Sequence, residues 1–415
     1  MKLIKPFVIT FTLFCAICMN CSQEGQAQDK NDPVLPGIDI LLAEQLDLVK
    51  HKRVGLITNP TGITTTLLST IETLYSHPQV NLVALYAPEH GVRGDIPAGE
   101  YVEHFIDKKT KLPVYSLYGA TKKPTAKMLK DVDILLFDIQ DIGVRPYTYI
   151  YTMAYAMVAA QENTIPFIVL DRPNPLGGEL IEGPILEEQF FSFIGLYPIP
   201  YIHGMTVGEL AGFFNEEFEI NAQLKVVRMQ GWSRDLLFED THLPWVPTSP
   251  HVPHARTPFF LATTGGFGEL KTLNEGVGYT LPFEYVGAEW IDADTLAETL
   301  NALSMEGVFF RPVFYKPYYG AKAGIMLHGV HIHITDYTIV RPIKIQIAIL
   351  KTVHDLYPDQ QLFDPARLDM FTKAIGTDKV RMMIEEGRNL TDIVRECEKG
   401  LEAFVKKRKK YLLYE

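Results

Sequence analysis

Short apolar runs alternate along the first half of the chain with stretches of helical spacing. RVGLIT (53–58), VNLVALY (80–86), LPVYSLYG (112–119), DILLFDI (133–139), IPFIVLD (165–171) and LKVVRM (224–229) are apolar nearly throughout. Between them STIETLYSH, PTAKMLKDV, TYIYTMAYAMVAAQEN and MTVGELAGFFNEEF carry apolar residues three to four apart. In the last of these, Thr206 and Glu209 stand at capping-box spacing. Strands without polar alternation, separated by helices, predict an α/β fold with a parallel sheet covered on both faces. From about residue 236 the pattern changes. LPWVPTSPHVPHARTPFF is dense in Pro and aromatics, and irregular Gly-rich sequence follows. The alternating GVHIHITD then reads as a strand and RPIKIQIAILKTVHDLY as a helix. The expected division is an α/β domain over 36–235 and a smaller α+β domain over 236–415, without internal repeats.

Residues 1–28 fall outside this scheme. MKLIK is a basic n-region and PFVITFTLFCAICM an apolar h-region too short to span a bilayer. Cleavage near GQAQ would release a soluble protein. Lipidation of Cys21, which resembles a bacterial lipoprotein cysteine, would anchor it to a membrane. The expected location is therefore exported, either periplasmic or held at the outer membrane. Residues 22–35 read as a tether. Loss of the signal removes Cys15 and Cys18 and leaves Cys397, with or without Cys21, so no disulfide framework is available. With 415 residues, 47% of them hydrophobic, chain length must supply the core. The net charge of −11 excludes a nucleic-acid surface, which needs a clustered basic footprint. The basic run Lys406–Lys410 reads as a solvated last helical turn.

Ligands of open parallel sheets bind outside the carboxyl ends of the strands. The first run ends in Asn59. The second ends in Glu89, His90, Arg93 and Asp95, within APEHGVRGD. The fourth ends in Asp138, Gln140, Asp141, Gly143, Arg145 and Tyr147. The fifth ends in Asp171, Arg172 and Asn174. Three ends thus pair an acid with an arginine, which points to a site on that edge. Asp138, Asp141 and Asp171 also have structural readings as caps or local ion pairs. Glu89, between Pro88 and His90 with Gly91 beyond, suits general acid or base work.

Several chemistries are unsupported. No GxGxxG follows the first strand, and there is no P-loop and no GxSxG elbow. Cys397 lies in a charged helix-like tail, away from any nucleophile context. His328, His331 and His333 invite a metal reading, but without HExxH or a Cys pair no metal or other cofactor is expected.

APEHGVRGD, LPVYSLYG, DILLFDIQDIGVRPYTYI, FIVLDRPNPLGG, IEGPIL, YPIPYIHGMTVGELAGFFN and LPWVPTSP together resemble the NamZ-type exo-β-N-acetylmuramidases, over nearly the whole chain. The resemblance implies a Rossmann-like domain beside a smaller auxiliary domain, with the cleft between them. It implies a glycoside hydrolase that releases N-acetylmuramic acid from the non-reducing ends of peptidoglycan fragments, with Glu89 as leading catalytic carboxylate and His90 beside it. GELKTLNEGVGYT departs from the family pattern, with Val277 where an arginine is usual. Pro146 and His251 also depart, where an aromatic residue and an asparagine are usual.

On this reading Glu89 is the acid, its pKa raised by partial burial, and Asp138, Asp141 or Glu284 takes the second role. An arginine would hold the O-lactyl carboxylate, with Arg145 preferred over Arg93 and Arg172. Tyr147, Tyr118 and Asn174 are candidates for sugar hydroxyls. Asn59, Gln140 and Asp171 complete the expected binding set. The partners expected are muropeptides or disaccharides, with membrane contact only through Cys21. Two alternatives stand beside this one: a related hydrolase of altered amino-sugar specificity, and a non-catalytic glycan-binding envelope lipoprotein.

Overall fold

A computed structural model describes residues 33–97, 99–100 and 103–415. The expected signal peptide, Cys21 and most of the tether lie outside the described residues. Strands β1 (Arg53–Thr58), β2 (Asn81–Ala87), β3 (Phe105–Ile106), β4 (Pro113–Ser116), β5 (Ile134–Asp138), β6 (Phe167–Leu170) and β7 (Leu224–Val227) form one sheet. Their order is β3-β4-β2-β1-β5-β6-β7, parallel except for the edge pair β3 and β4. Without β3 this is the doubly wound order, and the winding reverses between β1 and β5. The six apolar runs supply the six parallel strands. The two-residue β3, exposed on the edge, carried no apolar pattern to reveal it.

The inner strands β1, β2, β5 and β6 are apolar along nearly their whole length because both of their faces are buried. Ile57, Leu135, Phe137, Phe167 and Val169 pack beneath the helices Tyr149–Glu162 and Val207–Glu217. Val54, Leu56, Leu136, Ile168 and Leu170 pack against Ile38, Leu41, Ile71 and Leu74. Those residues belong to the helices Gly37–Glu44 and Thr70–Ser76 on the opposite face. The capping box of Thr206 and Glu209 forms with both of its hydrogen bonds.

In the second half, β8 (Tyr285–Ala288), β9 (Val308–Tyr315) and β10 (Leu327–Ile334) make an antiparallel sheet in the order β8-β10-β9. GVHIHITD supplies most of β10. β9 contains Pro312, which an edge strand tolerates. The glycines of TTGGFGE lie inside the helix Thr257–Leu270, not in irregular chain. A Cβ at Gly266 would come within 3.0 Å of Ile375 Cδ1, so glycine here lets the helix Leu368–Ile375 approach closely.

Buried charges lock the two halves together. Glu182 accepts from the backbone N–H groups of Ile343 and Lys344, at the start of the helix Pro342–Leu356, where the dipole favours an anion. The first and last described segments are also built in. Val34 is buried with Met229 and Trp232, and Leu35 bridges to Gln230, so the expected tether stops short of residue 34. The Tyr414 hydroxyl donates to Asp171 Oδ2 at 2.7 Å and accepts from Met229 N at 2.9 Å. Arg408, from the basic run expected to be solvated, is buried and donates to the carbonyls of Gly178 and Gly204. Lys407 and Lys410 pair with Glu217 and Glu216.

Candidate active site

The usual ligand position of a doubly wound sheet is the crevice between β1 and β5. Here the chain fills it. Thr61, Gln140 and Arg172 meet Phe238, Leu243 and Trp245 around a cavity of about 20 Å³, room for about one water. Asp138 lies beneath, fully buried. Arg172 donates to both of its oxygens, at 2.6 and 3.0 Å, and Thr70 donates to one. Every oxygen of this carboxylate is engaged, so the expected catalytic role of Asp138 gives way to a structural one. Arg172 is committed to Asp138 and to the Ile63 carbonyl, which withdraws it from substrate. Gln140 likewise spends its amide on the carbonyls of Asp141 and Pro173.

Arg145, expected first for the lactyl group, is wholly buried. Its guanidinium donates to the carbonyls of Pro184, Ile199, Ala374 and Ile375. The last two end the helix Leu368–Ile375, where a cation complements the dipole. Arg93 is held by Glu72 and Asp107 at 3.2 and 3.1 Å. Asp171 accepts from Thr206, Gly208, Arg172 N and Tyr414, and Asn174 is spent on Met205 O and Leu176 N. Burial pushes Asp171 up to about 6 against those donors. Glu284 sits in a different cleft, of about 420 Å³, with its Oε2 3.5 Å from His331 Nε2 and with Glu239, Arg256 and Tyr337 nearby. These residues are not brought beside Glu89.

What remains around Glu89 is a coherent set. Its carboxylate accepts from Thr148 Oγ1 at 2.9 Å and Gly99 N at 3.3 Å, and it forms no ion pair among the described residues. The turn that presents it is unusual. His90, Gly91 and Gly94 all have positive φ, and His90 at +69° is a non-glycine held in the left-handed region. The contact between His90 Nδ1 and Ile96 O, at 3.0 Å, braces that geometry. Burial first, then the charge of Glu89 and a hydrogen bond to it, raise the Tyr118 hydroxyl above its ordinary value. The charges of Glu89 and Asp141 both reach Tyr147. Tyr147 donates to Thr248 Oγ1 at 2.8 Å and Tyr149 to Thr248 O at 2.6 Å, so this loop closes over the strand ends.

Two buried polar atoms in this set lack partners: Asn59 Nδ2 and Asp141 Oδ1. Burial pushes Asp141 up to about 7, although the backbone N–H groups of Gly143 and Ile142 oppose the shift. Thr148, Tyr149 and Thr248 escaped the strand-end reading because only their hydroxyls matter. Their signal was the TYTY-like spacing in PYTY and the PTSP turn.

A family model described as the N-terminal part of the exo-β-N-acetylmuramidase NamZ matches residues 54–256, and its C-terminal counterpart matches residues 261–414. The chain belongs to this family of glycoside hydrolases. It is 49% identical to the peptidoglycan β-N-acetylmuramidase NamZ of Bacillus subtilis (strain 168), over the full length of both chains. Two crystal structures of DUF1343 family proteins from Bacteroides fragilis NCTC 9343 share the fold. One has a TM-score of 0.88 at 45% identity and the other 0.73 at 27%. Each alignment covers 92% of this chain and 99% of the other.

Proposed function

We propose that the chain is an exo-acting glycoside hydrolase that releases N-acetylmuramic acid from the non-reducing ends of peptidoglycan fragments. Glu89 protonates the departing glycosidic oxygen. The observation that carries this is the contrast among the strand-end carboxylates. Asp138 and Asp171 are saturated by internal donors, whereas Glu89 is half-buried, forms no ion pair among the described residues and lies beside the hydroxyls of Thr148 and Tyr118. Thr148 and the Gly99 amide hold it at the strand end, an arrangement suited to a general acid. Incubation with a β-N-acetylmuramide and its β-N-acetylglucosaminide counterpart tests the reading. Release from the muramide alone is expected, and release from neither would sink it.

Asp141 is the second carboxyl. Its buried, unpartnered Oδ1 can hold a water that would in turn orient the 2-acetamido group. A carboxyl with a folded pKa above its unfolded value of about 3.9 adds stability that is full below that value. The contribution is lost as pH rises through about 7. Asp141→Asn should therefore flatten the fall in melting temperature between roughly pH 4 and pH 7. A slope equal to that of wild type would remove Asp141 as a group titrating in that window.

With the three arginines engaged elsewhere, Lys122 is the candidate for the lactyl carboxylate. Its Nζ lies 4.4 Å over the Phe193 ring, which packs at 5.9 Å on Tyr118 beside Glu89. Lys122 forms no ion pair among the described residues. Lys122→Met should lower kcat/KM about tenfold or more on the muramide, the scale of one charge-assisted hydrogen bond, and leave any glucosaminide turnover unaffected. Equal losses on both glycosides would refute a lactyl role.

A further inference from the structure

The loop 316–326, between β9 and β10, exposes four large apolar side chains in eleven residues. Tyr318 is 74% exposed and Tyr319 50%, with Ile325 and Met326 beside them. Such a patch on a soluble protein usually marks a contact surface. The loop is nevertheless held in place. Tyr318 N donates to Gly278 O at 2.7 Å, Gly324 N to Pro317 O at 2.8 Å, and Lys322 pairs with Glu289 at 3.0 Å. The Tyr318 ring stacks on Tyr279, which rests on Tyr285 and Tyr315 of the small sheet. Tyr319 stacks on His251, with rings 6.0 Å apart and inclined by 20°. Its hydroxyl is 3.0 Å from His251 Nε2. His251 stands three residues beyond Thr248, which accepts from the hydroxyls of Tyr147 and Tyr149, and these two tyrosines flank Thr148, the hydrogen-bond donor to Glu89. The aromatic loop is thus linked, through His251 and the Thr248 turn, to the residues that hold the acid.

We propose that Tyr319, with Tyr318 beside it, is the platform for the sugar on the reducing side of the scissile bond. This rests on the muramidase reading above. Two features select the leaving part of the substrate over the terminal sugar. The acid must face the leaving oxygen, and the linked series runs from the acid's neighbour outward. An exo-acting enzyme also encloses one terminal unit while the rest of the glycan passes out into solvent, and this surface is open. Tyrosine fits the task, since a rigid ring offers an apolar face to the C–H side of a pyranose and a hydroxyl to its rim, at little entropic cost. Contacts to this non-reacting unit supply binding energy that a truncated substrate forfeits.

The test compares kcat/KM on β-N-acetylmuramyl fluoride, whose leaving group is too small to reach the platform, with that on the MurNAc–GlcNAc disaccharide. In Tyr319→Ala the ratio of disaccharide to fluoride should fall about tenfold or more, which corresponds to about 1.4 kcal/mol. Tyr319→Phe, which keeps the ring, should retain most of the ratio. Tyr75→Ala, at an exposed tyrosine on the helix Thr70–Ser76, controls for loss of a surface ring. A Tyr319→Ala ratio equal to that of wild type, with both substrates turned over, overturns the platform alone. Absence of turnover on both by wild type overturns the muramidase reading and the platform with it.

Discussion

Glu89→Gln is expected to lower the release of muramic acid from the disaccharide by about 10²–10⁴-fold, the usual worth of a positioned general acid. The thermal midpoint should hardly move. The side chain is half-buried, and an amide can still accept from Thr148 through its oxygen. The defect has a signature beyond its size. A nitrophenyl glycoside departs as a stabilised anion and needs little protonation, so the loss on that substrate should be smaller than on the disaccharide. Equal losses on both would point to a role before bond cleavage, and a loss under tenfold would take the acid role away from Glu89. Circular dichroism and melting on the same sample separate these outcomes from misfolding.

Arg172→Met should be the most destabilising of the site-edge substitutions, by about 3–5 kcal/mol, because it leaves Asp138 charged, buried and without its cation. Both oxygens of Asp138 face Arg172 at 2.6 and 3.0 Å, and neither residue is more than slightly exposed. The double variant Asp138→Leu/Arg172→Met should recover much of that loss, since the desolvation penalty disappears with the pair. Denaturant titration of wild type, the single variant and the double variant checks it. If Arg172→Met were as stable as wild type but unable to bind substrate, Arg172 would return to the binding set.

The strands were legible because burial on both faces leaves a run of Val, Ile and Leu that nothing else in a soluble chain needs. Glu89 was legible for the opposite reason, as a charged residue where that run stops. The arginines misled because a sequence shows a charge but not its partners. Arg145 reads as a cleft cation beside Tyr147, yet it ends a helix that lies more than two hundred residues downstream. Asp138 read as a candidate for the second catalytic role and Arg172 as a candidate for the lactyl group, and the two form a buried brace. The helix Thr257–Leu270 was hidden by its glycines, whose use is the close approach of Gly266 to Ile375, a contact made far along the chain. β8 and β9 were obscured by aromatics and by Pro312, acceptable only because β9 is an edge.

The Tyr414 hydroxyl, set on Asp171 at the end of β6, has a consequence for synthesis. A chain that emerges with its N-terminus first can assemble all six parallel strands early. It cannot complete the hydrogen bonds of the carboxylate at the end of β6, or the cluster of Val34, Met229 and Trp232 against the Tyr414 ring, until Tyr414 has appeared. The half matched by the N-terminal family model should therefore persist as a loosened, protease-sensitive intermediate until Tyr414 is in place, and expressed alone it should behave as a fragment. Affinity handles fused directly after Glu415 would press on that same junction.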